Sequence, residues 1–421
     1  MNNTNRKRLA DGVMFSAVRD SRFKTMKISA NIIVPLSADS ASANALLCGV
    51  LSRSTGAYPD FTALSRKLSS LYGAELNVSV RQAGDNQVLT LSASGLDDRY
   101  TLDGESVAEE LSRLLCGVIF EPNLHGEAFT DEDVEQERRQ LLDLIDSEFN
   151  DKRIYANDKL IENMCAGETY GIKRYGTAEK IKEATSQSLY GTWQTLLRTA
   201  SFEILYIGDS DPGKAAEVFR AAFDGFERSP RIAQTEIIRT AGEVKHIVEE
   251  MNVSQSKLVM GFRAGAALPE KEIYSSMLMC AVLGGTAHSK LFCNVREKQS
   301  LCYYCASRYD KYKGIMVIDS GVEGENIEKL EAGVLKEIDD MKNGNITDFE
   351  LNATKMAVIN AYHTSNDTVA GIESWYSSQL FDGCFKTIEQ MSEIINSITK
   401  EQLVAAAERL SLDTVFVLKN K

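Results

Sequence analysis

The stretch of this 421-residue chain richest in side chains able to do chemistry is Ser289-Lys-Leu-Phe-Cys-Asn-Val-Arg296-Glu297-Lys298-Gln-Ser-Leu-Cys302-Tyr303-Tyr304. Ser289 opens an amphipathic helix with Leu291, Phe292 and Val295 as its apolar positions. Arg296, Glu297 and Lys298 close its last turn, and a strand begins at Leu301. A guanidinium at a helix end and a phenol on the next strand can converge on one carbonyl or carboxylate. A plainer reading has Arg296 paired with Glu297 beside two half-buried tyrosines. The pattern leaves both open.

Other chemistry has little support. The four histidines, His125, His246, His288 and His363, include no i, i+3 or i, i+4 pair, so no helical metal pair forms. No Gly-x-Ser-x-Gly elbow marks a serine nucleophile, and Gly284-Gly285-Thr286 is too short for a phosphate loop. The pairs Glu249-Glu250 and Asp339-Asp340 sit in solvated contexts. Cys302 and Cys305 have no second Cys-x-x-Cys to complete a four-thiolate site. In a strand, residues three apart point to opposite faces, so these two read as core cysteines.

The elements that must position the Arg296 segment belong to a long internal repeat. Strand pattern Lys27–Pro35 leads into an apolar helix around Cys48, and Lys257–Phe262 leads into another around Cys280. Val88–Gly95 with its helix Val107–Leu115 is answered by Ile315–Gly321 with Leu330–Met341. Thr130-Asp and Thr347-Asp then each cap a long helix with acidic first-turn residues. Four echoes in one order imply two copies of one α+β domain. The segment Asn44-Ala-Leu-Leu-Cys48-Gly49-Val-Leu-Ser-Arg-Ser-Thr55 reads as one apolar helix without acid, base or strong ligand. The expected division is 1–225, a linker at 226–242, and 243–421. Each domain is expected to be a mostly antiparallel sheet with helices packed on one face.

Composition narrows the function classes: 43% hydrophobic, 25% charged and a net charge of −13. Without a basic block longer than Arg6-Lys7-Arg8, neither nucleic acid nor an anionic membrane is an expected partner. The N-terminus lacks a signal peptide's apolar core, and no apolar run approaches the roughly 20 residues of a membrane span. Eight scattered cysteines suit a reducing compartment, so the expected location is cytoplasmic.

Several fragments, in order, resemble the pitrilysin/insulinase family of zinc peptidases, in size its bacterial branch akin to mitochondrial processing peptidase. Arg8-Leu-Ala-Asp-Gly12 is similar to the family's Leu-x-Asn-Gly opening. Tyr170-Gly171 with Gly176-Thr177 and Ile181 resembles its Pro-Tyr-Gly … Gly-Thr-x-x-x-Ile region. Leu283-Gly-Gly, Ser289-Lys-Leu-Phe and Arg296-Glu-Lys-Gln-Ser-Leu-Cys-Tyr303 resemble Leu-Gly-Gly … Ser-Arg-Leu-Phe … Arg-Glu-x-x-Gly-Leu-Ala-Tyr. The resemblance implies two homologous halves facing each other across a cavity. Active members carry His-x-x-Glu-His, with a further Glu as third zinc ligand. Aligned on that motif, the ligand positions become Ala45 and Gly49 and the base becomes Cys48. The third ligand becomes Leu144, seven residues after Glu137, itself matched to an acidic residue that the family retains.

The opposite wall stays: Arg296 and Tyr303 match the family's substrate-gripping Arg/Tyr pair. Asn77 matches the edge strand along which family substrates add. Ser300 replaces the usual Gly. Some family members divide these parts between two chains. The resemblance therefore implies a metal-free subunit, not an active metallopeptidase alone. Zinc is expected on a paralogous partner and a peptide as the substrate. A non-enzymatic peptide-binding or regulatory scaffold is the alternative.

Overall fold

Alternation along Thr25–Pro35 shows how the first half is built. Met26, Ile28, Ala30, Ile32 and Val34 join the main apolar core, while Lys27, Ser29 and Asn31 take the other face. The computed structural model describes residues 5–421. Six strands form the first sheet: β1 (Asn5–Ala10), β2 (Val13–Arg19), β3 (Thr25–Pro35), β4 (Glu75–Ala83), β5 (Asn86–Leu96) and β6 (Ser201–Gly208), ordered β1-β2-β6-β3-β5-β4. The second sheet holds β7 (Lys245–Met251), β8 (Ser256–Arg263), β9 (Cys302–Asp310), β10 (Ile315–Val322) and β11 (Ser411–Asn420), ordered β7-β11-β8-β10-β9. Among the described residues every pairing is antiparallel except β2 with β6 and β7 with β11.

Each sheet packs its main helices on one face. Ala41–Leu51 and Val107–Phe120 cover the first, and Ile273–Cys280, Ile327–Lys342 and Lys400–Glu408 cover the second. The result is the expected α+β architecture. The units are not, however, the continuous spans 1–225 and 243–421. The first comprises residues up to Ile145, Ile172–Gln234 and Ser365–Leu380; the second comprises Asp146–Gly171, Thr235–Thr364 and Phe381–Lys421. The stretch 226–242 has neither helix nor strand and is divided between them at Gln234.

The exchange has a physical basis in each unit. In the first, helix Val369–Ser377 covers the polar face of the sheet. Glu373 pairs with Lys27 at 3.2 Å, and Arg81 donates to the Ser377 carbonyl at 3.2 Å. In the second, helix Lys152–Met164 lays Ala156 and Leu160 on Val259, Phe416 and Leu418. Gly261 permits that approach: a Cβ there would stand 2.6 Å from Met164 Sδ and 3.2 Å from Leu160 Cδ2.

Ions fix the end of the same segment. Arg263 Nη2 lies 2.7 Å from Glu168 Oε1, its Nε lies 2.8 Å from Asp413, and it also donates to the Met164 carbonyl. Lys313, fully buried, reaches Glu168 Oε2 at 2.6 Å. Burial pushes the Glu168 carboxyl up, but Arg263 and Lys313 outweigh it and hold the group below its ordinary value. A depressed carboxyl contributes stability above its unfolded pKa that is lost as pH falls through the folded one. Glu168→Gln should therefore cost about 3–5 kcal/mol in urea unfolding at pH 7, as two buried cations lose their shared charge. The gap to wild type should narrow below the carboxyl's ordinary 4.5.

Candidate functional site

Helix Ala41–Leu51 is apolar on nearly every side, and nine of its residues are buried. Its polar Asn44 is satisfied by Gln87 Oε1 at 3.0 Å, and Gln87 in turn donates to the Ala41 carbonyl. The helix is shorter than the segment Asn44–Thr55 read from sequence. It stops at Leu51, where the Ser52 backbone N–H and hydroxyl both turn back to the Gly49 carbonyl. That stop frees Arg53 and Ser54 to face the long acidic helix Asp131–Asn150. Arg53 pairs with Asp133 at 2.9 Å and with Glu137 at 3.2 Å, and Ser54 donates to Asp133 at 2.9 Å.

The four positions matched to metal and base residues come together. Ala45, Cys48, Gly49 and Leu144 line one cavity of about 340 Å³, along with Glu137 and the β4 residues Val78, Ser79 and Val80. Glu137 occupies the space that a side chain at 49 would use, since a Cβ on Gly49 would lie 2.5 Å from Glu137 Oε2. Burial pushes the Glu137 carboxyl above its ordinary value, and Arg53 opposes this without cancelling it. Cys48 is fully buried, so its thiol is pushed up to about 12, chiefly by desolvation and then by the Glu137 charge. It is no general base at neutral pH.

This donor set does not fit zinc. Ala45, Gly49 and Leu144 bring no lone pair, and a buried neutral thiol beside one carboxylate falls short of three ligands. Among the described residues no group of three or more His, Cys, Asp or Glu side chains could hold a metal ion.

Asn77 lies on β4, the sheet's edge strand, where it is exposed. Register places it opposite Ser92, on the face away from the helices, whereas Val78 and Val80 pair with Leu91 and Leu89 on the helix face. Arg296 and Tyr303 belong to the second unit. Arg296 rides on a π-helical segment, Leu291–Lys298, with Glu297 at 3.5 Å and its guanidinium over the Phe292 ring at 4.7 Å. The plainer reading of that arginine thus has a geometric basis. Tyr303 is not half-buried: it is 60% exposed and donates to Glu323 at 2.7 Å. That carboxylate pushes the phenol up, so it remains a proton donor. Arg296 and Tyr303 are thus presented by adjoining elements without bonding to each other.

The turn between them explains two features. Ser300 adopts φ +51°, a left-handed conformation that favours Gly. On β9, Cys302 opposes Val322 and Tyr304 opposes Gly321, which leaves Tyr303 as the extra residue of a bulge. The bulge overturns the expectation that Cys302 and Cys305 face opposite ways, because both pack with the second unit's core. All eight cysteines are free thiols.

Arg53 and Asp133 were missed as site residues. The available signal was Asp133 and Glu137 one helical turn apart, a spacing that places both on the face Arg53 meets.

Residues 183–358 match the family described as "Peptidase M16 inactive domain". A Bacillus subtilis protein named "Probable inactive metalloprotease YmfF" is 29% identical over 97% of this chain and 96% of its own length. A solved structure described as a conserved protein from Enterococcus faecalis V583 superposes with a TM-score of 0.91 at 25% identity, covering 100% of this chain and 99% of that one. A "peptidase M16 inactive domain" from Pseudomonas fluorescens shares the fold, with a TM-score of 0.81 at 18% identity, covering 100% of this chain and 98% of that one. The chain thus resembles the inverted-motif zinc peptidases throughout, as a relative without their metal motif. Among the described residues no helix is long and apolar enough to cross a membrane.

Arg53→Ala strands Glu137 and Asp133 in a poorly solvated site. It should cost about 2 kcal/mol in urea unfolding at pH 7.5. Glu137's raised pKa means that its contribution to stability is greatest below the unfolded pKa and falls as pH rises through the folded one. The penalty should therefore be smaller at pH 5 than at pH 7.5, since protonation of Glu137 removes the unpaired charge. An equal loss at both pH values would contradict the burial assigned to that carboxyl.

Proposed function

We propose that this chain, an inactive peptidase-like protein of the M16 type, is the metal-free subunit of a two-chain peptidase. The observation that carries the reading is an asymmetry. The positions for metal and base have become Ala45, Cys48, Gly49 and Leu144, yet Arg296 and Tyr303 stand at a helix end and strand edge with their polar groups accessible. A guanidinium and a protonated phenol can grip a peptide carbonyl and stabilise charge that develops on it. They cannot activate water by themselves. In this reading a zinc-bearing paralogue supplies the activated water, and Arg296 and Tyr303 bind the peptide in trans, in the cytoplasm.

A second reading is a peptide-binding or regulatory scaffold that needs no zinc-bearing partner. It is favoured by the first unit, where the free edge of β4 runs beside a cavity. Along that edge Asn77 would meet an added strand.

The two readings separate in a mixing experiment with a purified paralogue that carries an intact His-x-x-Glu-His. The subunit reading expects peptide cleavage only from the mixture. Arg296→Ala or Tyr303→Phe should lower kcat/KM by about 10²-fold or more, the scale of losing one transition-state donor. A paralogue that cleaves equally well alone sinks this reading and leaves the scaffold.

A further inference from the structure

A cavity of about 700 Å³ opens within the second unit, between helices Ile273–Cys280, Ile388–Ser397 and Lys400–Glu408. Neither Arg296 nor Tyr303 lines it. Its size suits a small molecule, and Leu268, Tyr274, Ile394, Ile398 and Ala405 give it apolar walls.

The ionic groups of the cavity do not balance. Lys271, Lys386 and Arg409 line it against Glu272 and Asp382. Asp382 is already neutralised, because Lys311 bonds both its oxygens, at 2.8 and 3.1 Å. Glu272 stands exposed at the N-terminus of its helix, where the helix dipole favours it. The cavity thus carries an excess of positive charge in a chain whose net charge is −13.

Arg409 brings that excess inward. Its stem follows Gly265, where a Cβ would stand 3.2 Å from it, and its Nη2 donates to the buried Ser276 hydroxyl at 3.2 Å. Its Nε is enclosed without an acceptor. The Glu270 carboxylate, which feels the Arg409 charge, is bonded instead by Arg239. A guanidinium drawn partly out of water without a carboxylate keeps a desolvation cost that a bound anion would offset. Lys386, over the Tyr274 ring at 5.6 Å, adds a second cation. Burial pushes its ammonium pKa down, but Tyr274, Cys384 and Asp382 outweigh this and keep it charged.

We propose that this cavity binds a small carboxylate with an apolar body. The planar fork of Arg409 takes the carboxylate, Lys386 adds attraction, and the body lies against Ile394, Ile398 and Ala405. A neutral isostere of the same shape forfeits the charge-assisted bonds, and a cation meets like charge. The site needs neither a partner chain nor the Arg296/Tyr303 wall, so it stands apart from the two-chain reading.

The test titrates the full-length protein alone with hydrocinnamate, hydrocinnamamide and phenethylamine by ligand-observed NMR. The acid is expected to bind about tenfold tighter than the amide, the scale of one hydrogen bond to a charged group, with the amine weakest. Arg409→Gln should bring acid and amide to about equal affinity. Should that variant fail to fold, Ala405→Phe, at an exposed helix position, fills the cavity and should weaken acid and amide together. Equal binding of acid and amide by the wild-type chain, a best amine, or no binding by any probe would each overturn the proposal. So would an acid preference retained by Arg409→Gln, or undiminished binding by Ala405→Phe.

Discussion

The Glu137 carboxylate, held against Gly49 and tied to Arg53, is the interaction on which the character of this site depends. A carboxylate in a partly desolvated position needs a cation. In a metal centre that cation would be the ion; in this chain it is a guanidinium reaching across from the turn after the apolar helix. Gly49 leaves room for the carboxylate, and a histidine at 49 would require Glu137 to move. A side chain at 49 and the present Arg53–Glu137 pair therefore compete for the same space. With Glu137 and Arg53 satisfying each other, the remaining wall positions can be apolar, and Ala45, Leu141 and Leu144 are.

The scaffold holds this arrangement from several directions. The acid helix is seated by Val134 in the core and by Arg138, which donates to the Lys182 and Ala184 carbonyls. Its far end leads into the segment Asp146–Gly171, which belongs to the second unit and is clipped there by Arg263 and Lys313 through Glu168. Helix Val369–Ser377 makes the converse exchange, with Glu373 on Lys27. Each unit thus includes a helix from outside its main stretch of chain, and neither is one continuous segment.

Much of the fold was legible because the sheets obey simple alternation. Thr25–Pro35 and Ile315–Val322 each turn regular apolar positions toward helices. The exchange was not legible, because Lys152–Met164 presents a helix face that would suit any apolar sheet. What selects its sheet is Gly261 together with Arg263 and Lys313, the cations that hold Glu168, all far away in sequence. The helix stop at Leu51 escaped notice because no Gly or Pro marks it; Ser52 does the work through its hydroxyl. The bulge at Tyr303 is invisible to a period-two reading, so the facing of Cys302 and Cys305 came out reversed. For the site, the resemblance named Ala45, Cys48, Gly49 and Leu144, and their sharing one cavity with Glu137 and the β4 edge depends on long-range packing that no local pattern carries.

The central claim is that Arg296 and Tyr303 touch a peptide processed at another chain's zinc. Photocrosslinking tests this most directly. A benzoylphenylalanine placed at position 303 would be irradiated in the mixture of this chain, its zinc-bearing paralogue and a labelled substrate peptide. The account predicts label transferred to this chain from position 303, well above a control with the same group at the exposed Phe349. Equal labelling from both positions, or label confined to the paralogue, would contradict it.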